Sequence, residues 1–184
     1  MRKLFAAAFI GLTLCLVAPA QAGWDEGVAA YYRGDYATAL REFRPLADQG
    51  NTFAQFLLGN MYYNGQDVTQ DYAEAVKWYR KAAGQGYASA QYNLGVMYYN
   101  GQGVTQDYVQ AHMWYNLAVS KGHENATKNR DNVAEKMTPA QIAEAQRLAR
   151  EWRPRHHAQG GHSRPRPARP GADQQIRREI PAVP

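Results

Sequence analysis

The pattern of apolar and polar positions along this chain repeats at a spacing of 36 residues. Residues 54–86 align without a gap on residues 90–122, and 20 of the 33 positions are identical. A fixed period of this size is typical of a stacked-repeat architecture, in which each unit buries its apolar face against its neighbours. Such a stack presents an extended surface, and this favours binding over catalysis in a closed pocket.

Each copy contains two helical patterns joined by a short polar loop. In the first copy (residues 54–86), the stripes of the two helices are Ala54, Leu58, Met61 and Tyr62, then Tyr72, Ala75, Tyr79 and Ala82. Gly65 is a stop signal for the first helix, since glycine adopts a left-handed backbone at little cost. Asp71 precedes the second helix, with Glu74 at the spacing of a capping box. The second copy (residues 90–122) repeats this arrangement, which predicts an αα-hairpin for each copy.

Gly59 and Gly95 interrupt the first helix of each copy at the same position. A glycine within a helix costs about 1 kcal/mol relative to alanine. Its recurrence predicts that a neighbouring helix backbone approaches closely at this point.

Degenerate units flank the two copies. A shorter hairpin precedes them, with Tyr36, Ala39 and Phe43 lying 36 residues before their counterparts. After the second copy, Thr138 and Gln141 form a capping box that opens a last helix. Terminal units of a solenoid are expected to be atypical because one face meets water.

The chain outside the repeats divides into two segments. Residues 1–22 read as a signal peptide, with Arg2 and Lys3 before an apolar run at 4–17 that is short for a membrane span. The small residues Ala20 and Ala22 predict cleavage after Ala22 and a periplasmic or secreted protein; an uncleaved anchor is the alternative. Cys15 is the only cysteine and lies in the apolar run, which excludes disulfides and a cysteine-ligated zinc from the mature chain.

Charge is concentrated at the C-terminal end. Residues 23–153, the predicted solenoid, hold 13 Lys+Arg and 14 Asp+Glu, whereas residues 154–184 hold six arginines against Asp173 and Glu179. The basic isoelectric point therefore describes the ends of the chain, and a nucleic-acid partner is not predicted. We expect 154–184, rich in Pro, Arg and His, to be a disordered tail. It either contacts an anionic envelope surface weakly, in a salt-sensitive way, or is a solvated spacer.

The repeated residues resemble a known family. The pattern Ala-x-x-x-Leu-Gly-x-x-Tyr-x-x-Gly, followed by Val-x-x-Asp-Tyr and Ala-x-x-Trp-Tyr, is similar to the Sel1-like repeat, a relative of the tetratricopeptide repeat. Residues 24–50 resemble a shorter tetratricopeptide unit, and the end from Met137 to Trp152 resembles the closing helix of exported bacterial Sel1-like proteins. The resemblance implies an all-α, right-handed αα-hairpin solenoid that serves as a protein-interaction scaffold.

A second stripe on the first helices points away from the packing stripe. By the tetratricopeptide resemblance it faces the concave, ligand-binding side. With its counterparts in the first unit, the predicted groove consists of Trp24, Tyr31, Phe53, Phe56, Asn60, Tyr63, Asn64, Tyr92, Val96, Tyr99 and Asn100. Aromatic rings supply contact area and amides can hydrogen-bond an extended peptide. The alternative is that these rings pack against the next unit.

No arrangement of residues indicates catalysis, a cofactor or a metal. Asp71 and Asp107 are explained as helix N-caps, and His112 has no evident Ser, Cys or acid partner. His156, His157 and His162 lie in the tail, which offers no fixed geometry for a metal. We therefore expect a non-enzymatic scaffold that binds a protein or peptide, with an envelope adaptor or signalling role and an oligomeric state that the sequence does not set. Two alternatives remain: a cell-wall-acting enzyme, as described for cysteine-rich relatives of penicillin-binding or β-lactamase type, and a structural protein held by its tail.

Overall fold

The computed structural model describes residues 19–155, with side chains from Gly23 onward, and this part contains eight α-helices and no strand. The helices are α1 (Pro19–Arg33), α2 (Tyr36–Asp48), α3 (Thr52–Asn64), α4 (Tyr72–Gly84), α5 (Ala88–Asn100), α6 (Tyr108–Ser120), α7 (Ala126–Ala134) and α8 (Pro139–Glu151). The predicted all-α solenoid is confirmed. The expected disorder of the tail and most of the expected signal peptide fall outside the described residues.

The helices stack in chain order. The pairs α1–α2, α3–α4 and α5–α6 form hairpins, and the second helix of each pair packs on the first helix of the next. One continuous cluster of buried residues runs from Ala30 in α1 to Met97 in α5, and a second joins α5, α6 and α7. Each hairpin therefore completes its core with its neighbours, as a solenoid requires.

Glycine ends the first helix of each copy, as predicted. Gly65 and Gly101 have φ of 69° and 71°, and each donates its backbone N–H into the last turn of its helix. This left-handed conformation is cheap for glycine because it has no Cβ. The chain can therefore reverse within one short loop.

Aspartates begin the second helices, as predicted. The Asp71 carboxylate accepts the Glu74 N–H at 2.9 Å, and the Asp107 carboxylate accepts the Gln110 N–H at 3.0 Å. The predicted return bond of a capping box is not made, because the Asp71 N–H donates instead to the Tyr62 carbonyl at 2.9 Å. That bond ties the start of α4 to the end of α3.

The glycines within α3 and α5 are explained by rings rather than by a helix backbone, so this prediction was wrong in its detail. A Cβ at Gly59 would lie 2.5 Å from the Tyr79 ring, and one at Gly95 would lie 2.5 Å from the Tyr115 ring. Both rings belong to the second helix of the same hairpin and are buried. The glycines therefore make room for a tyrosine inside each hairpin.

The C-terminal end departs from the hairpin pattern. Thr138 and Gln141 make both bonds of the predicted capping box, yet α8 packs mainly against α6 instead of forming a hairpin with α7. Beyond α8, the Arg155 N–H donates to the Gly84 carbonyl at 2.7 Å. The chain thus returns along α6 to the α4–α5 turn, and ordered contacts continue past residue 153.

The described part of the chain begins with helix α1. Helix α1 starts at Pro19 and so runs across the predicted cleavage point after Ala22. Within residues 19–155, no helix has the length and apolar character that crossing a membrane requires.

Candidate interaction face

The eleven residues of the predicted groove fall into three sets by exposure. The four buried residues are Phe56, Asn60, Tyr92 and Val96. The five half-buried residues are Trp24, Tyr31, Phe53, Tyr63 and Tyr99, and the two exposed residues are Asn64 and Asn100. The first four do not lie on an open face, because neighbouring helices cover them, so for these positions the packing alternative holds. For the other seven, the binding role remains a prediction.

An aromatic layer covers the start of α3. The Trp24 ring lies 5.6 Å from the Phe53 ring, and the Tyr87 ring lies 5.6 Å from Phe53 and 5.0 Å from Phe56, measured between centroids. These are the separations and tilted geometries that aromatic pairs prefer. The layer joins α1, α3 and the α4–α5 turn, and it leaves Trp24 and Phe53 half-exposed at its edge.

Buried amides meet a tyrosine hydroxyl between α3, α4 and α5. The Tyr79 hydroxyl donates to Asn60 Oδ1 at 2.7 Å, and Asn93 Nδ2 lies 3.4 Å from the same oxygen. Asn60 Nδ2 and Asn93 Oδ1 have no hydrogen-bond partner among the described protein groups. A buried, unpaired polar atom costs about 1–3 kcal/mol, so this cluster costs stability while it fixes how the copies meet.

Tyr31 extends this cluster towards α1. Burial, reinforced by nearby Tyr36, raises the pKa of Tyr31 to about 12, while the nearby Asn60 amide acts in the opposite direction. Burial also raises the pKa of Tyr79 well above its ordinary value. Both hydroxyls therefore remain neutral at physiological pH.

Pairs of tyrosines connect the end of each first helix to the start of its partner. The Tyr63–Tyr72 centroids are 5.2 Å apart and the Tyr99–Tyr108 centroids are 5.7 Å apart. The ammonium of Lys136, from the α7–α8 link, lies 4.8 Å from the Tyr99 centroid. The tyrosines of the predicted groove thus have packing partners as well as partly exposed faces.

Exposed amides end both first helices of the copies. Asn64 and Asn100 are the last residues of α3 and α5 and follow directly on the half-buried Tyr63 and Tyr99. Asn100 Nδ2 donates to Gln102 Oε1 at 3.3 Å in the adjoining loop. Neither helix contains a charged residue, so the polar groups offered here are amides and hydroxyls.

Comparison with known proteins identifies the family. The Sel1 repeat family matches residues 52–87 and 88–123. A solved Sel1 repeat protein from Oxalobacter formigenes is similar at 35% identity and a TM-score of 0.56, over 62% of this chain and 89% of that one. The chain is a Sel1 repeat protein.

A longer Sel1-like structure is also similar. A protective antigen of uropathogenic Escherichia coli strains, which displays an SLR fold, matches at 35% identity and a TM-score of 0.69 over 73% of this chain. This chain spans 30% of the length of that antigen. No curated protein matches the chain.

Family membership supports a role as a protein-interaction scaffold. Sel1 repeat proteins typically serve as scaffolds for protein–protein interaction and typically lack catalytic activity. Within residues 19–155, no three His, Cys, Asp or Glu side chains gather in a way that could hold a metal ion. The repeated aspartates, Asp71 and Asp107, cap helices as predicted.

Sequence reasoning missed three side chains that shape this Sel1 face. They are Asn93, which shares the buried amide cluster, Lys136, whose ammonium lies over the Tyr99 ring, and Gln102, whose amide lowers the pKa of the Tyr63 hydroxyl. One signal was available: Asn93 stands where the first copy has Leu57, and a polar residue at an apolar repeat position needs a reason. Lys136 carried no such signal, since it lies outside the repeated segment.

Proposed function

We propose that this Sel1 repeat protein is an exported adaptor that binds an extended peptide segment of a partner along α1, α3 and α5. The observation that carries the proposal is a repeated surface on α3 and α5, where half-buried tyrosines and exposed asparagines stand on helices without charge. A peptide backbone is itself uncharged and offers one donor and one acceptor per residue. Amides and hydroxyls match it without the desolvation cost of a charge.

Export rests on the sequence of the N-terminal end. The basic start, the apolar run and the small residues before Gly23 support a cleaved signal and a periplasmic or secreted location. An envelope partner follows from that location. The antigen of uropathogenic strains, similar over 73% of this chain, is compatible with an exposed role.

The exposed asparagines provide the sharpest test. Peptides selected from a displayed library on the full chain would be titrated against the wild type and Asn64→Ala/Asn100→Ala. We expect the affinity to fall at least about tenfold, because two hydrogen bonds of about 0.7 kcal/mol each are lost. Both side chains are exposed, so the melting temperature should barely change.

A matched control separates this face from the rest of the surface. Gln146→Ala/Arg150→Ala removes two exposed side chains of α8, and its affinity should equal that of the wild type. If the selected peptides bind the asparagine variant as tightly as the wild type, the proposed face is wrong. An equal loss in both variants would also contradict it.

A further inference from the structure

A buried histidine and a half-buried one lie where the second copy meets α7. His112 in α6 is 3% exposed, and His123 lies in the turn that leads into α7. The corresponding residues of the first copy are Val76 and Tyr87, which do not titrate at physiological pH. The second copy has thus replaced two non-titrating contacts with imidazoles at a single helix junction.

His112 has a low tolerance for charge in this position. Its Nδ1 has no hydrogen-bond partner among the described protein groups. Burial is the main cause that lowers the pKa of His112, and Arg130 of α7 lowers it further, while Asp131 acts in the opposite direction. Helix α5 has no charged residue, and on α8 Arg147 pairs with Glu144 and Glu151 on an exposed face.

His123 is held by a ring and by the start of α7. Its imidazole stacks on Tyr92 with centroids 4.3 Å apart and planes 14° apart, and its Nδ1 also has no partner. The His123 carbonyl accepts the Ala126 N–H at 3.2 Å, in the first turn of α7. Burial lowers the pKa of His123 more than the neighbouring Glu124 raises it.

Helix α7 has few other attachments. It is nine residues long, its only buried side chains are Ala126 and Val133, and Asn125 makes no side-chain cap. Asn129 Nδ2 donates to the Tyr92 hydroxyl at 2.8 Å. These contacts cover Tyr92 and Val96, two residues of the predicted groove that are buried at this end.

We propose that α7 is an acid-releasable cap, which leaves α5 and α6 when His112 and His123 take up protons. A proton on His112 would place a cation in an apolar contact facing Arg130, and a proton on His123 would place one between Tyr92 and the start of α7. Local opening can involve a single helix, so release of α7 from between α6 and α8 need not unfold the first copy. Release would uncover Tyr92 and Val96.

The direction of the pH effect follows from linkage. Both histidines bind protons less well when α7 is packed on α5 and α6 (the closed form) than when it is released (the open form). The open form therefore holds more protons, and the free energy that favours the closed form increases as pH rises. The contribution of the two neutral histidines to the stability of the closed form is complete above the ordinary histidine pKa of about 6.5, and it declines as pH falls below that value. This proposal goes beyond the proposed function and does not depend on the identity of any partner.

Hydrogen exchange of the full chain tests the release. Exchange would be followed by mass spectrometry at pH 7.4 and 5.4 and corrected for the intrinsic pH dependence of amide exchange. Most carboxylates stay ionised at the lower pH, since they titrate at about 4. We expect protection in 126–134 to fall severalfold at pH 5.4, because the released form binds the protons that the closed form disfavours, with α3 and α4 unchanged.

The first copy supplies the matched variant. His112→Val/His123→Tyr installs its residues, and protection of α7 should then be the same at both pH values. Equal protection of α7 at both pH values in the wild type would overturn the proposal, as would a pH effect that survives in the double variant. Should that variant not fold, an NMR titration of the wild-type histidines decides: the proposal requires both imidazoles to titrate together with the loss of α7 protection, and titration without that loss contradicts it.

Discussion

The first and second copies have nearly the same backbone but are tied into the stack by different contacts. Gln85, at the end of α4, donates to the Gly50 carbonyl at 3.0 Å and to Gln55 Oε1 at 2.9 Å, and it accepts the Thr52 hydroxyl proton at 2.8 Å. The corresponding residue in the second copy is the exposed Lys121, and Gln91 Oε1, the counterpart of Gln55 Oε1, has no hydrogen-bond partner within residues 19–155. An amide clamp thus ties two turns together around the first copy and is missing around the second.

The same contrast appears in the core and in the loops. Asn60 accepts the Tyr79 hydroxyl, whereas the second copy has Val96 at that position. Asp67 has a left-handed backbone with φ of 50°, whereas Gly103 takes its place and lies against the Tyr72 backbone. The positions shared by the copies build each hairpin, and the positions that differ change how firmly each hairpin is held in the stack.

The largest effect is expected where the copies agree. Gly59→Ala and Gly95→Ala should each lower the free energy of unfolding by about 3 kcal/mol, because the new methyl group overlaps a buried tyrosine ring. Urea unfolding monitored by circular dichroism measures the loss. Gly84→Ala is the control, since a Cβ there meets nothing within 4 Å. Helix propensity alone predicts a gain of about 1 kcal/mol at all three sites, and such a gain at Gly59 or Gly95 would refute the ring contact.

The second largest effect separates the two loops. Gly103→Asp should lower the free energy of unfolding by about 2 kcal/mol, because its Cβ would overlap the Tyr72 carbonyl and its φ of 67° disfavours side chains. The converse change, Asp67→Gly, should stay within about 0.5 kcal/mol of the wild type, since it relieves a left-handed residue and adds chain entropy. Thermal unfolding of both variants checks the pair. Equal losses would show that the loops are interchangeable.

A smaller effect is expected in the buried amide cluster. Asn60→Val installs the residue of the second copy and should cost about 1.5 kcal/mol, because the Tyr79 hydroxyl loses its 2.7 Å acceptor. The unpaired Asn93 Oδ1 belongs to the same cluster and can accept part of that bond, which keeps the loss moderate. Asn64→Val, at the exposed end of the same helix, is the control for urea denaturation. Matching losses at the two sites would mean that the buried bond contributes nothing.

The smallest effect is a gain. Lys121→Gln should raise the melting temperature and increase the free energy of unfolding by about 1 kcal/mol. The new amide can donate a hydrogen bond to the buried Gln91 Oε1. Gln85→Lys should decrease the free energy of unfolding by a similar amount, because it removes the hydrogen bonds of the amide clamp. Differential scanning calorimetry of both variants measures this. No change in either variant would mean that the clamp does not distinguish the copies.

The sequence predicted the hairpins because their determinants are local. Gly65 ends its own helix and Asp71 begins the next one, and both residues recur 36 positions later in the second copy. Burial of the predicted groove was harder to foresee: a helical face shows which residues point together, and a neighbour such as Tyr87 or His123 decides whether that face is covered. The packing of α8 on α6 could not be predicted from the repeat, because the segment that forms α8 has no second copy in the chain with which to align it.

The most direct test of the contrast is the opening free energy of each copy in the native chain. Native-state hydrogen exchange at pH 7.4 would compare the slowest amides of α4 with those of α6. The clamp and the buried amide bond predict that α4 is more stable against opening by at least about 1 kcal/mol, or about fivefold slower exchange. Equal protection of the two helices, or greater protection of α6, would contradict the claim that the differing residues set how firmly each copy is held.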